Sequence, residues 1–172
     1  NQGRGLAAGF WVNHGGESTA AVSIPQDGSV IVTVGTPDIG GSRASMAMMA
    51  AEVLGIAYER VRPIVTDTAS IGFSMPTGGS RVTFSTGKAV IDACEELIVQ
   101  MKERAAAIWG VEAHQVDWSD GHAICLAAGK DEAPLSLATI AAKAGSMGGP
   151  LSAETVVNPH DYAPAFGVHL CD

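Results

Sequence analysis

The chain has 172 residues, of which 47% are apolar and 16% charged, and its net charge is −8. That length supports one sizeable core or two small ones sharing an interface, and so sparse a charge points to surface buried against something else. Acidity argues against nucleic acid, because a binder needs a basic stripe to displace counterions from phosphates, and the sequence has none. No apolar run approaches the roughly 20 residues that span a bilayer. Residues 1–10 do not read as a signal peptide, so the expected location is cytoplasmic, with the periplasm as the alternative.

Residues 5–13 and 17–24 are apolar-rich segments separated by Asn13-His-Gly-Gly16. Pro25-Gln-Asp-Gly28 is a turn signal ahead of a β-branched run at 29–34, so three antiparallel strands are predicted. Residues 43–54 are dense in Ala and Met without Pro or Gly, which predicts a helix, apolar nearly all round and covered on several sides. Residues 61–66 return to strand character, and 69–80 form a Gly/Ser/Pro/Thr-rich loop. A long helix follows over 80–108, with Val90, Ala93, Cys94, Leu97, Met101, Ala105 and Ile108 on one face. Gly87 in its first turns marks a kink or a close helix contact, and Gly110 ends it.

Beyond Gly110, residues 116–119 and 122–126 read as a hairpin about Asp120-Gly121, and 135–144 as a helix closed by Gly145. Residues 151–157 and 164–170 read as strands. The alternation Val168-His-Leu-Cys171 stops at Asp172 without turn chemistry, so the sequence is expected to be an excised piece of a longer polypeptide. The fold class is α+β, with antiparallel or mixed sheets packed with helices in two small units. Residues 1–110 form the first, and residues 111–172 form a smaller second one, truncated at its C-terminus.

Cys94, Cys125 and Cys171 are odd in number and lack CxxC spacing, so they read as small buried hydrophobes in a reducing compartment. His14, His114, His122, His160 and His169 show no HExxH or i,i+4 arrangement, and no metal held by protein side chains is expected. Familiar nucleotide and nucleophile motifs also fail. GxGxxG is absent. Ser85-Thr-Gly-Lys88 would need Gly at Val82 and Ser or Thr at Ala89 to be a P-loop, and Gly72-Phe-Ser-Met-Pro76 lacks the second Gly of a nucleophile elbow.

What remains is a repeated tetrapeptide, Gly40-Gly41-Ser42-Arg43 and Gly78-Gly79-Ser80-Arg81, each at a loop-to-helix junction. Paired glycines allow positive φ or close approach to a ligand. Ser at an N-cap and Arg in the first turn, beside the unpaired N–H groups of a helix start, favour anions. Two readings stand side by side. Both turns are helix caps in a non-catalytic interaction module, or both face one ligand, in a cofactor cradle or a stand-alone anion or nucleotide binder.

The runs GTPDIGGSRASMAMMAAEVLGI and VRPIVTDTASIGFSMPTGGSRVTFSTGKAVIDAC favour the ligand-facing reading. In their linked order they resemble the molybdenum-cofactor-binding large subunit of the xanthine dehydrogenase/aldehyde oxidoreductase family. The resemblance is strongest over residues 29–94. It implies a fragment of a larger molybdopterin-binding domain, from an enzyme that hydroxylates an aldehyde or N-heterocycle with oxygen from water. It also implies a molybdopterin, or its cytosine dinucleotide form, whose dithiolene holds the molybdenum. Implied partners are the remaining domains of the large subunit, iron–sulfur and flavin components, and a small-molecule substrate.

By similarity, Ile39, Gly40 and Gly41 fall at one contact loop and Gly78, Gly79 and Ser80 at another. Many members carry Gly-Gln-Gly in the first loop. Gly40 stands here at the Gln, so its hydrogen bond is either lost or supplied by Ser42 or Arg43. The family's catalytic Glu lies in a Gly-x-Gly-Glu motif absent from these residues, and none of Glu17, Glu52, Glu95 and Glu96 is assigned its role. No catalytic residue is therefore expected in this piece, and alone it is expected to be inactive and to retain no cofactor.

Overall fold

The computed structural model describes residues 3–160 and 164–171. Its centre is a four-stranded mixed sheet in the order β4-β3-β2-β8, from Val61–Val65, Val30–Val34, Ser18–Ile24 and Leu151–Val157. β2 runs antiparallel to both β3 and β8, whereas β3 and β4 are parallel. Period-2 alternation sends Ala20, Val22, Ile24, Val30, Val32, Val34, Leu151 and Ala153 into the core. Two helices cover that face, α1 (Ser42–Leu54) and α2 (Gly87–Trp109).

α2 presents the face expected from its sequence, with Val90, Ala93, Cys94, Leu97, Met101 and Ala105 buried. A π-helical turn, Val82–Thr86, precedes it, so the helical path begins two residues later than predicted. Gly87 marks close packing: an added Cβ there would lie 2.6 Å from Met49 Sδ on α1. α1 is not covered all round as predicted. Met46, Ala47, Ala50 and Leu54 are buried, but Met48 is 62% exposed.

A three-stranded sheet, β5-β6-β7 (Val116–Ser119, His122–Cys125, Leu135–Ser136), packs with α3 (Leu137–Ala144) against α2. Asp120 and Gly121 both take positive φ, which matches the twist of a tight hairpin. The helix predicted from residue 135 starts at Leu137, because Leu135 and Ser136 pair with β6 and Ser136 caps the helix by accepting from the Thr139 N–H. The hairpin seats on the end of α1, where Trp118 Nε1 donates to the Leu54 carbonyl at 3.1 Å. Gly55 and Gly121 meet backbone to backbone there, and a Cβ on Gly55 would fall 2.6 Å from the Gly121 N. The segment after Gly110 thus supplies an edge strand to the central sheet as well as its own small sheet.

β1 (Gly5–Trp11) departs from expectation. It does not join β2 and β3 but pairs antiparallel with β9 (Ala165–Cys171) in a separate two-stranded ribbon. Leu6, Ala8 and Phe10 lie opposite Leu170, Val168 and Phe166, so six apolar side chains share one face. The local pattern specified the strands, while the choice of partner depended on a segment more than 150 residues away. The cysteines also differ from their common reading: Cys94 is buried, Cys125 half-buried and Cys171 exposed.

Candidate functional site

The two Gly-rich loops converge because the strands before them are parallel. β3 and β4 point the same way, so the loops at their C-terminal ends leave from one side of the sheet. Their exits are tied where the Thr66 N–H donates to the Val34 carbonyl at 3.0 Å. Further out, Ile39 and Ser42 of the first loop and Thr77, Gly78 and Ser80 of the second line one pocket of about 250 Å³. The structure brings those predicted residues together. Gly40, Gly41, Arg43 and Gly79 sit beside the pocket without lining it.

The first loop ends in two left-handed glycines, Gly40 at φ 65° and Gly41 at φ 77°. Gly41, not Ser42, is the N-cap of α1, and Ser42 is its first helical residue, with Oγ 3.4 Å from the Pro37 carbonyl. The cap comes from Asp38, a residue the sequence reading passed over. Its Oδ1 accepts the Arg43 N–H at 2.8 Å, and its Oδ2 lies 3.2 Å from Arg43 Nε. An Asp just ahead of a Gly-Gly helix start was the available signal. It places a carboxylate where an anion would otherwise sit. Arg43 is thereby held at the surface in an exposed ion pair worth at most about 1 kcal/mol.

In the second loop the left-handed pair is shifted by one residue, to Gly79 at φ 60° and Ser80 at φ 58°. Arg81 then returns to the right-handed region at φ −84°, and such left–right successions aim consecutive N–H groups into one concavity. The reading of Arg81 as a free guanidinium for ligand is corrected. The residue is 2% exposed, and Nε donates to the Gly15 carbonyl at 2.9 Å. Nη1 donates to Met75, and Nη2 to the carbonyls of Gly16 and Glu17 and to Ser18 Oγ. Burial lowers its pKa from the ordinary value.

Segment 13–19 backs this loop along its length. His14 N–H donates to the Gly79 carbonyl at 2.9 Å and Met75 N–H to the Glu17 carbonyl at 2.9 Å. Thr19 donates from N–H to Ser74 Oγ at 3.1 Å and from Oγ1 to the Phe73 carbonyl at 2.7 Å. The His14 ring fills the space a Gly79 side chain would need. Sequence reasoning missed this backing because the partners stand more than 50 residues apart and carry no shared local pattern.

The arrangement fits a flat polar cofactor on two counts. A Cβ on Gly40, Gly41 or Gly78 would meet nothing within 4 Å, so bare backbone borders open space there. Among the described residues, none accepts a hydrogen bond from the N–H of Gly40, Gly41, Gly78 or Gly79. Among the described residues no group of three or more potential metal ligands occurs. No helix among them is long and apolar enough to cross a membrane.

A family model described as the molybdopterin cofactor-binding domain matches residues 1–172. The chain belongs to that family, whose association is with the molybdenum–pterin cofactor. Over 120 residues it is 34% identical to the aldehyde oxidoreductase molybdenum-binding subunit PaoC of Escherichia coli K12, covering 69% of this chain and 16% of that protein. It is 33% identical over 91 residues to xanthine dehydrogenase 1 of Arabidopsis thaliana, covering 52% and 7% respectively. The chain therefore spans less than a fifth of these relatives. Among solved structures, CO dehydrogenase from Oligotropha carboxidovorans superposes with a TM-score of 0.86 at 21% identity, covering 98% of this chain and 23% of that one. Quinoline 2-oxidoreductase from Pseudomonas putida 86 gives 0.82 at 21%, covering 98% and 24%. At that identity the two structures establish kinship of fold, the α+β architecture described above.

Proposed function

We propose that this chain forms part of the molybdopterin cradle of a molybdenum hydroxylase acting on an aldehyde or N-heterocycle, with water as the oxygen source. The observation that carries the reading is that two Gly-rich loops at the ends of parallel strands line one pocket, with Gly78 in its wall and Gly40, Gly41 and Gly79 beside it. When bound, the cofactor supplies the two-electron redox chemistry. The chain's residues bind and orient it. The N–H groups of Gly40, Gly41, Gly78 and Gly79, which find no acceptor among the described residues, would donate to pterin or phosphate oxygens, and the Ile39 and Ser42 side chains would wall the pocket. Arg43 can exchange its weak, exposed pairing with Asp38 for an anionic group on the ligand. We assign the acid and base for the chemistry to other parts of a longer subunit. Iron–sulfur and flavin partners would carry the electrons away. The three free thiols fit the reducing cytoplasm in which we place the enzyme.

The test is Gly78→Val in the full-length subunit. Gly78 borders open space, so the variant should fold normally while its molybdenum and pterin contents fall together. Wild-type pterin content in the folded variant would overturn the assignment of this loop.

A further inference from the structure

Arg81 is a buried cation whose partners are five neutral oxygens, four on residues 15–18 at the entry to β2 and one on Met75. Burying a charge is expensive, and a well-packed apolar side chain would often stabilise a core as well or better. In some proteins such a group is kept because its geometry sets a conformation. Here the planar fork reaches both stretches at once, which an ammonium on a flexible stem does not reproduce. Every acceptor except Ser18 Oγ is a backbone carbonyl outside the central sheet and helices, so the bonds do little for the core itself. They pull segment 13–17 against the loop that Ser80, at positive φ, has just turned.

We propose that Arg81 is a positioning residue: it clamps residues 15–17 and Met75 together and so presets the Gly78–Ser80 turn before any ligand arrives. The proposal rests on the reading of that turn as a cofactor loop. Without the clamp, the two left-handed residues would relax, and the turn beside the pocket would lose its preset shape. The clamp also places the His14 ring under Gly79, because His14 adjoins the carbonyls that Arg81 holds.

The experiment is amide hydrogen exchange on the cofactor-free full-length subunit, comparing wild type, Arg81→Lys, Arg81→Met and a core control, Val32→Ala. Both Arg81 variants should exchange about tenfold faster over 13–17 and 72–80 with α2 unchanged, whereas the control should not single out those segments. Unchanged exchange there overturns the proposal, as does equal loosening by Val32→Ala. Failure of both Arg81 variants to fold while Val32→Ala folds also overturns it, since the role would then be global stability. Pterin content after saturation with cofactor separates the two ideas. A loosened loop with lowered content supports both, whereas a loosened loop with full content keeps the clamp and overturns the cofactor reading.

Discussion

A Cβ on Gly79 would lie 2.1 Å from His14 Cδ2, on a backbone already at φ +60°, whereas one on Gly78 would meet nothing within 4 Å. The neighbours lack side chains for different reasons. Gly79 serves the fold and Gly78 faces the space for ligand. Gly79→Ala should cost about 1–3 kcal/mol in chemical denaturation, and Gly78→Val should cost less than about 0.5 kcal/mol. Cys94 offers a second residue-scale check. Burial, with Glu95 adding a like charge, pushes its thiol up to about 12 from 9.0. A group with a raised folded pKa contributes stability that is intact below 9.0 and is lost as pH climbs toward 12, because the unfolded chain gives up its proton first. Denaturation midpoints of wild type should therefore fall more steeply than those of Cys94→Ala as pH rises above 9.0.

Among the elements, α1 shows how a cap can come from outside the repeated motif. Gly41 leaves the helix without a side-chain cap at the N-cap position, and Asp38 supplies the acceptor from three residues earlier. Asp38→Ala should lower stability by about 1 kcal/mol in urea unfolding, while Ser42→Ala should have a smaller effect. The two GGSR copies looked equivalent as text. Their left-handed residues fall on Gly-Gly in the first and on Gly-Ser in the second, and their arginines face surface and interior respectively. Sequence identity over four residues thus did not carry structural equivalence. The long elements were read well from periodicity: β8 occupies the predicted span, and α2 ends at Gly110. The π turn at Val82–Thr86 was not legible, because it arises where the chain leaves the Arg81 clamp to meet α1.

Across the whole molecule, the β1–β9 ribbon stands out against a core that is otherwise closed. Leu6, Phe10, Phe166, Val168 and Leu170 are 60–77% exposed on one face, where the Phe10 and Phe166 rings meet with centroids 6.3 Å apart. An apolar face this open lowers solubility. Exchanging the facing pair for Phe10→Lys with Phe166→Glu should raise the solubility limit of the purified chain and leave its Tm nearly unchanged. A drop in Tm would show that the ribbon packs on the body more than its exposure indicates.

By itself the sequence determined the order and type of most elements, the two stretches of bare glycine backbone and the resemblance they carry. Each of these depends on residues within about one helix turn or one loop of one another. Only the tertiary structure decided that β1 leaves β2 for β9, that β8 closes the sheet beside β2, and that Arg81 turns inward while Arg43 stays out. Those outcomes rest on contacts between residues such as Arg81 and Gly15, 66 positions apart, and nothing in either local stretch encodes the other's place.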